Sequence, residues 1–455
     1  MHLVLSLALL GSSVPALAGD PAVELAMKPT VKVLPNGLTV ILEESHRTDK
    51  VALHLTYGVG SRDERPGEYG CAHLFEHLMF EGSEHVPTNK FDEWLTGAGG
   101  DNNAYTSEDV TAYHMAFPNG ATDLALFLES DRMGYLLSGV NLENVANQRK
   151  IVLQERAEGY AEPNGRDWDA LSRLLWPADH PYHHPVIGTV ADVAGFTVDG
   201  TQDFWKRHYR PQNAVLAVVG DFETAAAMAQ IEAWFTDVPD PGKPEPRVEK
   251  ARTDAWPGAN GYLEDDVEER SVYVAWPTVP AGHPDEPALE LLSYILSNGR
   301  GTRLDDRLYY DSKLATSVFA YSSPGDIEGF FLVAASSPKT KIEKLADVMN
   351  QEIHYIPQGL PTTEELDRAK EAVRSGWLDA LENLEGRAEL LVDCQRTVGR
   401  PDCLVDEWKR FAAVQPADIS RVVKTYFVPE RQVTLSVVPR GDLGMVEGSK
   451  PVELP

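Results

Sequence analysis

The chain has 455 residues, 43% of them apolar and 24% charged, with a formal net charge of −29. That length exceeds one ordinary hydrophobic core and predicts two or more domains. The acidity weighs against nucleic acid or an anionic membrane as a partner and favours basic peptides, although a charged face kept for solubility explains it equally well.

In chain order, Leu3–Leu10 followed by Pro15-Ala-Leu-Ala18 reads as the apolar region and A-x-A cleavage site of a signal peptide, although no Lys or Arg opens it. Cleavage after Ala18, with no Cys behind it, predicts a periplasmic or secreted chain without a lipid anchor. No later apolar run is long enough for a membrane span. Leu38–Leu42 and Val51–Leu55 read as strands, and long helical segments alternate with such strands throughout, which predicts an α+β fold with an antiparallel or mixed sheet in each half.

His73-Leu-Phe-Glu-His77 carries the chemistry. On a helix His73 and His77 face the same way one turn apart, and two neutral imidazoles at that spacing can share a metal. Glu76 lies on the same side, placed to take a proton from a metal-activated water. This is the inverted H-x-x-E-H order. The alternative is a half-buried amphipathic helix that happens to carry two histidines.

A third ligand has to come from elsewhere. Asn141–Glu162 reads as a helix, with Val145, Ile151 and Val152 on one face and Pro163 ending it. Glu155 is the preferred acidic ligand on it, and Glu158 and Glu162 are its rivals. Pro239–Pro246, with four prolines, reads as a linker. The halves it separates look like weak repeats. Tyr209–Gly220 matches Tyr426–Val438, each a helix end, a Pro-containing turn and a strand, and Gly60–Glu64 echoes Gly282–Glu286. The helix after the second copy, Ala288–Leu296, has no metal ligands.

Ser297–Arg303 lacks the ending of a phosphate loop and reads as an ordinary connection. No G-x-S-x-G occurs, which weakens a serine-hydrolase reading. Of three cysteines, Cys394 and Cys403 are spaced to close a short loop in an oxidising compartment, and Cys71 reads as a small packing residue. His180, His183, His184 and His208 read as structural, with His183 and His184 as possible substrate contacts.

Several ordered motifs together resemble the pitrilysin or insulinase-type (M16) zinc peptidases, in the short branch that includes the processing peptidases. They are Gly58–Glu64, Gly70–Gly82, Gly99–Thr106, Arg149…Val152…Glu155, His180-Pro-Tyr182 and Tyr209–Asn213. The resemblance implies a zinc endopeptidase of peptides or unfolded segments. It implies one Zn2+ per chain on His73, His77 and Glu155, with Glu76 as general base. It also implies that Asn103 and Ala104 hold substrate by strand addition, and that two homologous α+β domains enclose a peptide chamber. Expected boundaries are a signal peptide 1–18, a metal-binding domain 19–238, a linker 239–257, a second domain 258–443 and a tail 444–455. The ligand set also tolerates manganese or cobalt.

Two departures stand out. Where the family often has an acidic residue acting behind the third ligand, this chain has Gln148. Where the family has an Arg and a Tyr for substrate backbone and oxyanion, this chain has Tyr309 and Thr316; Arg303 and Tyr310 have the right separation in the wrong register. The resemblance therefore implies the metal-bearing member of a pair, with a related chain supplying Arg and Tyr. A non-catalytic scaffold of the same fold is the competing expectation.

Overall fold

The computed structural model describes residues 24–240, 245–247 and 257–455. The expected signal peptide and most of the expected linker lie outside these residues. Two six-stranded sheets organise the rest. The first comprises β1 (Thr30–Val33), β2 (Thr39–Glu44), β3 (Lys50–Tyr57), β4 (Asp101–Thr106), β5 (Thr111–Pro118) and β6 (Ala214–Gly220). The second comprises β7 (Asn260–Asp265), β8 (Arg270–Thr278), β9 (Ser317–Pro324), β10 (Gly329–Ser337), β11 (Val433–Pro439) and β12 (Lys450–Pro451). Their spatial orders, β1-β2-β6-β3-β5-β4 and β12-β7-β11-β8-β10-β9, correspond over the last five strands, whereas β1 is antiparallel to β2 and β12 parallel to β7.

In each sheet a late strand inserts parallel to an early one, β6 beside β2 and β11 beside β7, while the pairings on the β3 and β8 sides are antiparallel. Both sheets are therefore mixed. The inserted strands are the repeated motifs of the sequence. Helix Val198–His208, a 3-10 turn at Pro211–Asn213 and β6 match helix Pro416–Tyr426, a 3-10 turn at Pro429–Arg431 and β11. β6 and β11 are rich in Val and Leu and buried nearly throughout, as strands covered on both faces must be. The residues expected as a tail include β12, which adds to β7 in parallel.

The covering layers cross between the halves. One face of each sheet packs on helices of its own half. The other face of the second sheet receives helix Asp167–Leu175 from the first half, whose Ala170, Leu171 and Leu175 pack against Leu263, Ala275 and Leu435. The other face of the first sheet receives helix Leu384–Val398 from the second half, whose Ala388, Leu391 and Val392 pack against Ile41, Ala217 and Val219. Each fully buried Leu or Val contributes roughly 1.5–3 kcal/mol, so this reciprocal exchange fastens the halves firmly. Arg387 on the second helix adds a bond from Nη2 to Oε1 of buried Glu43 at 2.6 Å and one from Nε to Oε2 at 3.2 Å. Cys394 and Cys403 form a disulfide joining the end of this helix to helix Leu404–Ala413. Cys71 is a buried free thiol.

Candidate metal centre

Helix Cys71–Leu78 is held from three sides. Its apolar positions Leu74, Phe75 and Leu78 are buried in the first core. Gly70 precedes it at φ 98°, a left-handed conformation suited to glycine, and a Cβ there would meet the Ile187 carbonyl at 2.7 Å. The fully buried Glu64 carboxylate accepts from the Gly70 and Ala72 amides, both at 2.8 Å, and so satisfies amides at the helix start. From beneath, the Tyr209 hydroxyl donates to the Ala72 carbonyl (3.3 Å) and the Tyr113 hydroxyl to the Phe75 carbonyl (3.2 Å).

The opposite face carries His73 and His77, with ring centroids 4.9 Å apart. Helix Leu142–Ala161 crosses here. Asn141 caps it by accepting from the Glu143 and Asn144 amides, and Val145 and Val152 bury its inner face. Glu155 Oε2 lies 3.4 Å from His77 Nε2 and 3.9 Å from His73 Nε2. One donor atom from each of the three residues lies within 4.8 Å of the others. Metal–ligand bonds of about 2.1 Å in a tetrahedral arrangement place donors about 3.4 Å apart, so this donor set fits a zinc ion. Burial, with His77 adding to it, lowers the His73 pKa to about 4, which keeps the imidazole in its ligating neutral form. Of the rivals, Glu158 accepts from Gln154 (2.7 Å) and Glu162 follows the last helical residue. The structure brings Glu155 to the histidines.

Glu76 stands beside them. Its Oε2 accepts from the Thr106 hydroxyl at 2.7 Å. Burial pushes the Glu76 carboxyl above the ordinary carboxylate range, against the lowering effect of Thr106. Thr106 is the last residue of β4, the strand at the edge of the first sheet. Within β4 the Ala104 amide donates to the Asn103 side-chain oxygen at 2.9 Å, while Asn103 and Ala104 pair in register with His114 and Tyr113 of β5. Among the described residues β4 therefore leads to Glu76 with one edge unpaired by another strand.

Gln148 is buried two turns before Glu155, and its amide donates to Glu81, beyond the end of the His73–His77 helix. Arg303 is bound bidentately to Glu365, Nε at 2.7 Å and Nη2 at 3.1 Å, and donates to the Gly359 carbonyl. Tyr309 and Tyr310 lie on a π-helical turn, Asp305–Asp311, and the Thr316 hydroxyl bonds Glu269 and the Ser336 carbonyl. His183 is held by the Trp176 carbonyl, and His184 stacks on Tyr69. Sequence reasoning missed the roles of Thr106, Glu64, Tyr113 and Tyr209. Thr106 and Glu64 end two of the motifs quoted for the resemblance, which was the available signal.

The comparisons with known proteins concern the family and the fold. Residues 39–184 match the model for insulinase, peptidase family M16, and residues 195–373 match the model for the M16 inactive domain. The chain belongs to peptidase family M16. Zinc protease PqqE of Helicobacter pylori is 28% identical over 424 residues, covering 89% of this chain and 92% of the relative. An uncharacterized zinc protease, YmxG of Bacillus subtilis, is 24% identical, covering 80% of this chain and 88% of the relative. A crystal structure of a protease from Helicobacter pylori superposes with a TM-score of 0.84 at 26% identity, covering 91% of this chain and all of that one. The periplasmic protease PqqL of Escherichia coli shares the fold, with a TM-score of 0.73 at 21% identity over 90% of this chain and 47% of that one. Both named relatives are zinc proteases, and this chain is built as two M16-type α+β domains. Among the described residues no helix is long and apolar enough to cross a membrane.

Proposed function

We propose that this chain is a zinc-dependent endopeptidase acting on extended peptides or unfolded segments. The observation that carries the reading is the convergence of His73, His77 and Glu155 beside Glu76. One Zn2+ per chain, held by the first three, would supply the Lewis acidity that makes water nucleophilic near neutral pH. Glu76 takes the proton from the attacking water on a carboxylate oxygen and returns it to the leaving amine nitrogen. Thr106 fixes the other oxygen, so the proton acceptor is held in one orientation. A substrate strand adds to the open edge of β4, where the Ala104 amide exchanges the Asn103 side chain for a peptide carbonyl. Gln148 supports Glu81 behind the helix of the two histidines.

The chain works as the metal-bearing member of a pair, exported to the periplasm or beyond. Arg303, the basic residue of the alternative register, is committed to Glu365, and Tyr309 and Thr316 stand where a complete site has Arg and Tyr. A related chain supplies those donors. The test is hydrolysis of a quenched-fluorescent peptide mixture by the mature chain, alone and with such a partner, against Glu76→Gln. Cleavage abolished by Glu76→Gln supports the reading, and cleavage undiminished by it overturns the peptidase assignment. A fully active, zinc-loaded homo-oligomer overturns the pairing.

A further inference from the structure

The Glu155 carboxylate reaches the two histidine rings, its side chain is 49% exposed, and no hydrogen bond among the described residues orients it. Its place at the metal centre is therefore set by the backbone of helix Leu142–Ala161. That helix is anchored well in its first half. Val145, Gln148 and Val152 are buried, and the Arg149 guanidinium donates to the Phe196 carbonyl at 3.1 Å. Beyond Val152 the next buried residue is Arg156, which follows the ligand in sequence and lies about 100° from it around the helix.

Arg156 joins three separate parts of the chain. Its Nε donates to the Gly188 carbonyl at 3.1 Å. Gly188 lies against the start of the histidine helix, where a Cβ on it would meet the Gly70 Cα at 2.6 Å. The guanidinium also lies over the Tyr160 ring, 4.0 Å from its centroid, and the Tyr160 hydroxyl donates to Asp169 of helix Asp167–Leu175. Finally, Nη2 donates to the Pro455 carbonyl. The fixed fork of a guanidinium lets one side chain serve two carbonyls at once. Arg156 thus ties the helix of Glu155 to the turn before His73 and His77, and both to the segment 450–455.

That segment is itself fastened to the second half. Lys450 and Pro451 form β12 beside β7, and the Val452 amide donates to the Tyr262 carbonyl at 3.0 Å. Val452 and Leu454 pack on the cluster that helix Asp167–Leu175 makes with the second sheet. The fit is close, since a Cβ on Gly261 would meet Val452 Cγ2 at 2.6 Å and Leu174 Cδ1 at 2.7 Å. The segment therefore runs from the edge of the second sheet, past helix Asp167–Leu175, to the helix of Glu155.

We infer that Arg156 is a positioning residue for the metal centre and that segment 450–455 is the strap that holds it. Contacts of the second half then fix where Glu155 meets the two histidines. This inference rests on the metal-site reading and adds to it the device that sets the ligand geometry. Groups acting behind metal ligands govern about 10- to 100-fold of metal affinity.

The test compares the parent chain, Arg156→Met, a chain ending at Ser449, and the two changes combined. Zinc dissociation constants are read by competition with a chromophoric chelator. The visible absorption of the cobalt-loaded chains reports the coordination geometry. Met keeps an apolar stem in the buried position, and the shortened chain leaves Arg156, Gly188 and Tyr160 untouched, so the test does not hang on one variant folding. Arg156→Met is expected to weaken zinc binding about tenfold or more and the shortened chain about threefold or more. The combined chain should bind no more weakly than Arg156→Met, because the strap acts through the arginine. The cobalt bands of both single variants should shift from those of the parent. Zinc affinity and cobalt bands equal to the parent's in both single variants overturn the inference even where the thermal midpoint falls, since a purely structural role moves only the latter. Losses that simply add, or a shortened chain with the parent's affinity, overturn the strap. A parent chain that binds no zinc marks failure of the metal-site reading itself, and the inference falls with it.

Discussion

The Thr106 hydroxyl donates to the Glu76 carboxylate at 2.7 Å, joining the open edge strand of the first sheet to the proposed general base. Substrate strand and proton acceptor are thus positioned by one element. A substrate registered on β4 is registered on Glu76 as well, and small displacements at such a site are costly in rate.

Thr106→Val keeps the shape of the strand end and removes the donor. It is expected to lower kcat/KM about tenfold with zinc content unchanged, and Thr106→Ser is expected to restore most of the loss. Steady-state kinetics alongside metal analysis checks this. Loss of zinc together with activity would instead assign Thr106 to the support of the fold.

Ala104→Pro removes an amide that donates to the neighbouring Asn103 side chain, on an edge strand where proline is tolerated. The variant is expected to fold and bind zinc while losing at least about tenfold in kcat/KM, mostly through KM. Unchanged KM would argue against strand addition at β4.

Arg303→Met tests which residues stand outside the site. Burial alone would raise the Glu365 pKa, but the Arg303 and Thr362 hydrogen bonds outweigh it and bring it down to about 2, from an ordinary value of 4.5. A lowered folded-state pKa gives stability that is present above about 4.5 and is lost as pH falls towards 2. The variant should therefore be less stable at neutral pH by no more than about 1 kcal/mol after screening. The difference should shrink below pH 4.5, and kcat/KM should not change. Denaturant titrations at several pH values and peptide kinetics decide it. A large fall in kcat/KM would return Arg303 to the substrate site.

What the sequence disclosed follows from the range of the interactions. His73, Glu76 and His77 stood out because helical periodicity is local, whereas the face of helix Leu142–Ala161 left Glu155, Glu158 and Glu162 as rivals and the resemblance singled out Glu155. The repeats Tyr209–Gly220 and Tyr426–Val438 pointed to equivalent strands, and they became β6 and β11 in matching places. The exchange of helices Asp167–Leu175 and Leu384–Val398 was not legible, since an apolar helix face does not state which sheet it covers. The same limit hid the Arg303–Glu365 pair, whose members are far apart in sequence. Gln148 was noticed for the charge it lacks, but only the structure gives its partner, Glu81.

The Cys394–Cys403 bond closes a short loop at the end of the helix that covers the first sheet. Replacing both with Ser is expected to cost roughly 2–3 kcal/mol of unfolding free energy. Urea titration with and without reductant measures it, and the reduced parent chain should match the double variant. No difference between oxidised parent and variant would show that apolar packing alone holds the helix.

The most direct test of the metal centre is zinc stoichiometry by native mass spectrometry on the parent chain, Glu155→Gln and Glu158→Gln. One zinc per chain is expected in the parent and in Glu158→Gln. Loss of a direct ligand in Glu155→Gln should weaken zinc by more than about a hundredfold, beyond the usual effect of a residue acting behind the ligands. A parent chain that takes up no zinc, or one zinc retained with equal affinity in Glu155→Gln, would contradict the assignment of His73, His77 and Glu155 as the metal-binding set.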